Sequence, residues 1–147
     1  MYQKILVATD GSTLSKKAVK SAVSLAASLD AHLTVLNVVP RYPIGYYEGF
    51  EVTSMGDRKK SEKLWVDRGQ ELVDSVQDAA HAEGVTMKGI VMQSSEVAES
   101  IIAAAKKHKC NLIVMASHGR SGLKRVLLGS ETLHVLTHSK TPVLVLR

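Results

Sequence analysis

Apolar and polar positions along the chain follow two rhythms, one of short unbroken apolar runs and one of helical spacing. Lys4–Thr9 (KILVAT) is a compact apolar run that stops at Asp10-Gly11, a turn pair, and so predicts a buried strand. Ser12 and Thr13 then offer N-caps for a helix in which Ala18, Ala22, Leu25, Ala26 and Leu29 recur on one face. His32–Val39 (HLTVLNVV), rich in β-branched residues and ended by Pro40, is a second strand. Arg41 to Gly56 has no period and holds Pro43, Gly45, Gly49, Gly56 and three tyrosines, the mark of a long loop of the kind that is usually functional or mobile. Asp57 to Glu83 reads as one long helix closed by Gly84, and Val85–Met92 as a third strand. Glu96 to His108 is a helix with Val97, Ile101 and Ala104 or Ala105 inward. Leu112–Ala116 (LIVMA) is apolar at every position, which marks a central strand covered on both faces. A helix ending at His138 and a fifth strand, Pro142–Leu146, complete the series.

Strand and helix thus alternate across residues 1–147, with no repeat, linker or low-complexity block. The pattern predicts one α/β domain: a single open, mostly parallel five-stranded sheet with right-handed crossovers and helices on both faces. Half-Rossmann and flavodoxin-like sheets fit this size. With strand order 3-2-1-4-5, taken from fold-level precedent, the order reverses between the strands ending at Thr9 and Ala116. Ligands of open α/β sheets sit at such a reversal. Asp10 and the segment from Ser117 onward would then face one site.

Composition narrows the classes. The chain is 45% hydrophobic and 22% charged, enough to bury a core. Cys110 stands alone, which excludes an intramolecular disulfide and reads as a structural thiol. The opening MYQKILVATDG lacks the charged and apolar regions of a signal peptide, and no apolar stretch reaches the ~20 residues of a membrane span, so a cytoplasmic protein is expected. A net charge of +5 would suit nucleic acid, yet the basic residues are dispersed. Lys16, Lys17 and Lys20 lie on one helix, while Lys106, Lys107 and Lys109 sit where another helix ends and complement its dipole. Aromatics make up only 4%, too few for a base-stacking surface, and no nucleic-acid partner is expected.

The chemistry concentrates in ASHGRSGLKRVLLGS, Ala116 to Ser130. Glycines allow close backbone approach to a ligand, Gly129 and Ser130 stand where the last helix begins, and Arg120, Lys124 and Arg125 add positive charge. The chain contains neither a Walker A loop nor a G-x-G-x-x-G after its first strand. Spacing alone leaves two readings open: a phosphate cradle, or glycine turns followed by Ser130 as an N-cap.

Over its whole length, from KILVATDGS through VLNVV and NLIVMASHGRSGLKRVLLGSET to TPVLVLR, the chain resembles the universal stress proteins. The ATP-binding branch of that family carries G-x2-G-x9-G-[ST]; here Gly119 and Gly129-Ser130 match, and the first glycine falls on Ala116, whose methyl narrows the approach to the ribose. The resemblance implies the adenine-nucleotide alpha hydrolase-like fold and ATP as ligand, with Mg²⁺ carried by the phosphates. It puts Ala8, Thr9 and Asp10 beside base and ribose, and Val38 at the adenine through its backbone. Ser117, His118 and Gly119 would lie along the ribose and α-phosphate, Arg120, Ser121 and Gly122 over the phosphates, and Gly129, Ser130, Glu131 and Thr132 at the β- and γ-phosphates. Ser95, Glu96 and Val97 stand where the family often has Gly-x-Pro.

No catalytic constellation emerges. His134 and His138 have the spacing of a metal pair but lack a third ligand, and His118 reads as a positioning residue. The resulting expectation is an ATP-binding stress-response or signalling module with slow or no hydrolysis. The alternatives are a slow ATPase or phosphoryl or nucleotidyl transferase at the same site, and a nucleotide-free interaction module. The resemblance also implies a homodimer through Val143–Leu146, an apolar edge strand that needs covering.

Overall fold

The structure is a computed structural model that describes residues 1–41, 55–120 and 128–147. Most of the expected Arg41–Gly56 loop, and Ser121, Gly122, Lys124 and Arg125, lie outside the described residues. The elements run β1 (Lys4–Ala8), α1 (Thr13–Leu29), β2 (His32–Val39), α2 (Met55–Ala82), β3 (Met87–Gln93), α3 (Val97–Lys107), β4 (Leu112–Ala116), α4 (Ser130–His138) and β5 (Val143–Leu146). All neighbouring strands are parallel and their order is β3-β2-β1-β4-β5, as expected. Val7 pairs with Val35 on one side and Val114 on the other, so β1 is the centre of the sheet.

The period of two along each strand divides the core. Ile5, Val7, Val35 and Val114 pack with Ala18, Ala22 and Val73 under α1 and α2, whereas Leu6, Leu36 and Ile113 pack with Ile101 and Val135 under α3 and α4. β4 is buried at all five positions, which agrees with its unbroken apolar sequence. Among the described residues no helix is long and apolar enough to cross a membrane.

Several boundaries differ from expectation for local reasons. Ser12 is the N-cap of α1, its hydroxyl accepting the Ser15 N–H at 3.3 Å, so Thr13 is already helical. The buried stripe of α1 ends at Ala26; Leu29 stays 40% exposed on the last helical residue, where the chain turns back through Asp30 at φ 51°. Met55 and Gly56 belong to α2 rather than to the preceding loop. Gly84 closes that helix at φ +73°, but Val85 bonds back to the Ala80 carbonyl and belongs to the helix end, which delays β3 to Met87.

Candidate functional site

A cleft of about 630 Å³ opens at the carboxyl ends of β1 and β4, where the sheet order reverses. That volume suits a ligand of nucleotide size. One end is apolar, walled by Ala8, Leu36 and Val38 from the sheet, Met115 from β4, and Val97 and Ile101 from α3. The other end is polar and contains Thr9, Asp10, Ser15, His118, Gly119, Arg120, Gly129, Ser130, Glu131 and Thr132.

The polar end is built by a turn that ties two distant segments together. Thr9 leaves β1 with its N–H on the Leu36 carbonyl at 2.9 Å, and its hydroxyl receives the Gly11 N–H at 3.2 Å. Gly11 takes φ +79°, which lets the chain reverse into α1. Asp10 Oδ1 accepts the Ser12 N–H at 2.9 Å, and Oδ2 accepts the Arg120 N–H at 3.1 Å. The carboxylate therefore fastens the β1–α1 turn to the glycine-rich segment. Gly119 lies so close that a Cβ there would stand 2.5 Å from Asp10 Oδ2. Its glycine is thus required by the neighbouring carboxylate, and no positive φ is involved.

Burial pushes the Asp10 carboxyl up, but hydrogen bonds from the side chain and backbone of Ser12, and from Ser15 and the Arg120 N–H, outweigh it and hold the pKa below the usual value. A folded pKa below the unfolded one stabilises the fold fully above the unfolded value of ~3.9 and loses that stabilisation as pH falls through the folded value. Wild type should therefore be more stable than Asp10→Asn by a constant margin near pH 7, and the margin should shrink below about pH 4. Urea unfolding of both proteins across that range checks this.

α4 starts differently from the sequence reading. Gly129, not Ser130, is the N-cap, and Ser130 is the first helical residue. The Gly129 N–H is occupied by the Ser117 carbonyl at 2.7 Å, so the groups left to receive an anion are the N–H groups of Ser130, Glu131 and Thr132 in the first turn. A Cβ on Gly129 would approach His118 Cα to 3.2 Å. Thr132 borders the cleft but its hydroxyl donates to the Ala116 carbonyl at 2.9 Å, which locks α4 to the end of β4. Glu131 accepts the Ala98 N–H on Oε2 at 2.8 Å and so caps α3 from a neighbouring helix.

The cleft gathers twelve of the fifteen expected site residues: Ala8, Thr9, Asp10, Val38, Ala116, His118, Gly119, Arg120, Gly129, Ser130, Glu131 and Thr132. Ser117 stands behind the wall, buried, with its N–H on the Leu146 carbonyl at 2.7 Å and its hydroxyl 3.1 Å from His118 Nδ1. Ser121 and Gly122 are outside the described residues. Ala116 borders the cleft, and it also belongs to the core cluster under α1 and α2, whereas Met115 belongs to the cluster on the other side of the sheet. Four lining residues escaped the sequence reading, Ser15, Leu36, Ile101 and Met115, and Val97 joins them from the Ser95-Glu96-Val97 segment noted above. Leu36 was accessible to it, because it shares a strand face with Val38 at i, i+2. Val97 and Ile101 read as inner-face positions of their helix, and both also line the cleft.

Outside the cleft, His134 Nε2 lies 2.9 Å from Glu99 Oε1, and its ring stacks on that of His138 with centroids 4.2 Å apart. Among the described residues no group of three or more histidine, cysteine or acidic side chains is placed to hold a metal. Burial pushes the Cys110 thiol up, against a hydrogen bond with Thr34 and the charge of Lys4, so the thiol stays protonated at neutral pH.

The model of the universal stress protein family matches residues 1–147. A universal stress protein of Methanocaldococcus jannaschii is 33% identical over 147 residues, an alignment spanning 100% of this chain and 83% of that one. Universal stress protein UspA of Lactobacillus plantarum superposes with a TM-score of 0.85 at 26% identity, covering 99% of this chain and 98% of that chain. A universal stress protein solved in complex with cAMP superposes at 0.71, also at 26% identity, over 99% and 97% of the two chains.

Proposed function

This chain belongs to the universal stress protein family, and from that premise we propose that it is an ATP-binding stress-response or signalling module of the cytoplasm that works by changing conformation or partner affinity rather than by turnover. The observation that carries the reading is the polarity of the cleft, apolar along α3 and ending at the uncapped first turn of α4. In this reading the base would lie against the apolar lining that includes Val38, and the phosphates against the N–H groups of Ser130 to Thr132, where the helix dipole favours negative charge. The relative solved with cAMP carries an adenine nucleotide on the same fold. Mg²⁺ would travel with the phosphates, which supply its oxygen ligands together with water.

Two features favour binding without hydrolysis. Asp10 and Glu131 are the carboxylates at the polar end, and each already accepts a backbone N–H. His118 Nδ1 is turned to the Ser117 hydroxyl. Among the described residues neither carboxylate is hydrogen-bonded to the His118 ring, so no acid–histidine pair is assembled as a general base. The test is calorimetric and thermal. ATP at about a hundredfold over its Kd should stabilise the fold by about 2.7 kcal/mol, a rise of roughly 5–10 °C in Tm for a chain of this size. No shift with ATP, and no adenine nucleotide in the purified protein by mass spectrometry, would leave the nucleotide-free interaction module as the reading. Steady phosphate release that depends on Asp10 would favour the slow ATPase or transferase.

The same proposal includes a homodimer. Among the described residues β5 is an edge strand paired with β4 alone, and Leu144 is 39% exposed on it. An apolar edge of this kind is a pairing surface. Truncation before Pro142 should shift sedimentation from dimer towards monomer or aggregate; an unaltered dimer would show that the interface lies elsewhere.

A further inference from the structure

Where β1 ends, a buried side chain takes over from the sheet's own ladder. The pairing of β1 with β2 stops at Ala8 opposite Leu36. Thr9 still gives its N–H to the Leu36 carbonyl at 2.9 Å, and in a regular parallel ladder its own carbonyl would next take the Val38 N–H. That carbonyl goes instead to the carboxamide of Asn37, whose Nδ2 donates to it at 2.8 Å. Among the described residues Val38 makes no backbone bond to Thr9. Backbone groups alternate sides along a strand, so the N–H and C=O of Val38 point the same way as those of Leu36, towards β1. At that level β1 has ended, and Val38 borders the cleft.

Asn37 lies on the other face of the sheet from the apolar lining, the face of Val35, and is only 5% exposed. Gly69 of α2 makes room for it, since a Cβ there would stand 2.5 Å from Asn37 Oδ1. With Nδ2 turned to the Thr9 carbonyl, Oδ1 has no hydrogen-bond partner among the described residues. A buried carbonyl without a donor costs the fold stability, so packing alone is a poor account of an asparagine here. We propose that Asn37 is a positioning residue for base recognition: by occupying the Thr9 carbonyl it keeps the Val38 N–H free for an acceptor on the base. The inference rests on the nucleotide-binding reading above, in which the base lies against the lining that includes Val38. Without the Asn37 amide, the Val38 N–H completes the ladder to Thr9 and is lost to the ligand.

The experiment uses isotope-labelled full-length protein, with amide hydrogen exchange followed by NMR and ATP affinity by calorimetry. In wild type the Val38 N–H should exchange fast and become protected when ATP binds. In Asn37→Leu, similar in size but without a donor, that exchange should already be slowed about tenfold or more in the free protein. ATP should then bind about tenfold more weakly, the loss of one hydrogen bond to the base. Val35→Ala wounds the same core face two residues earlier; it should lower Tm but keep Val38 exchange and ATP affinity within about twofold of wild type. Unchanged Val38 exchange or unchanged ATP affinity in Asn37→Leu would overturn the proposal, and so would the same effects in Val35→Ala. If Asn37→Leu fails to fold, Asn37→Ser, too short to reach the Thr9 carbonyl, carries the same comparison. Absence of ATP binding in wild type sinks the nucleotide reading, while Val38 exchange in the free proteins still decides whether Asn37 releases that group.

Discussion

Gly119→Val should weaken nucleotide binding about a hundredfold while leaving a folded protein. A Cβ at this position stands 2.5 Å from Asp10 Oδ2, closer than real side chains tolerate, and two further methyls leave no room for adjustment. Asp10 must move, and both N–H groups it holds, from Ser12 and Arg120, are released. The turn leading into α1 and the segment beyond Gly119 then part at the place where sugar and phosphate would pass. Overpacking of this sort costs about 1–3 kcal/mol in stability. The larger effect is on binding: a loss of about 3 kcal/mol, roughly a hundredfold in Kd, is expected by calorimetry with ATP. Gly129→Ala, whose new Cβ meets His118 Cα at the milder distance of 3.2 Å, should weaken binding less. A Gly119→Val protein that folds and binds ATP as wild type does would show that the cradle is not here.

Ile113→Ala should strongly destabilise the fold, through the core cluster that also holds the cleft residues Leu36, Ile101 and Met115. Ile113 is fully buried in β4, beside Leu6 of β1 and Val143 of β5, and it packs in the cluster that holds Leu36, Ile101, Met115 and Val135. Truncation leaves a cavity between sheet and helices that the surrounding strands cannot collapse to fill. The expected cost is about 2–5 kcal/mol, a large share of the ~5–15 kcal/mol by which a domain is stable. Urea unfolding measures it directly. A change under about 1 kcal/mol would mean that the sheet relaxes freely. The two substitutions separate cleanly, since Gly119→Val acts mainly on affinity and Ile113→Ala mainly on the stability of the scaffold.

Much of this molecule was readable before any coordinates. The continuous apolar run of LIVMA announced a central strand, and β4 is buried throughout. Gly84 announced a helix end and adopts the left-handed φ that such ends use. These signals are local: a strand face, a cap or a reversal depends on residues a few positions apart. The readings that failed depended on neighbours further away. Ser130 is a good N-cap by type, yet Gly129 takes that role because its N–H is drawn to the Ser117 carbonyl.

The sequence by itself therefore determined the nine described elements and their alternation, and pointed to the glycine-rich segment, because periodicity and turn residues act within a few residues of one another. The tertiary structure decided what that segment does with its groups. Asp10 holds the N–H of Arg120 across 110 residues, and Glu131 holds that of Ala98 across 33, pairings that exist only once the sheet is ordered β3-β2-β1-β4-β5. Which N–H groups remain open for an anion follows from those pairings, since a backbone donor already bonded within the fold has nothing left to give a ligand.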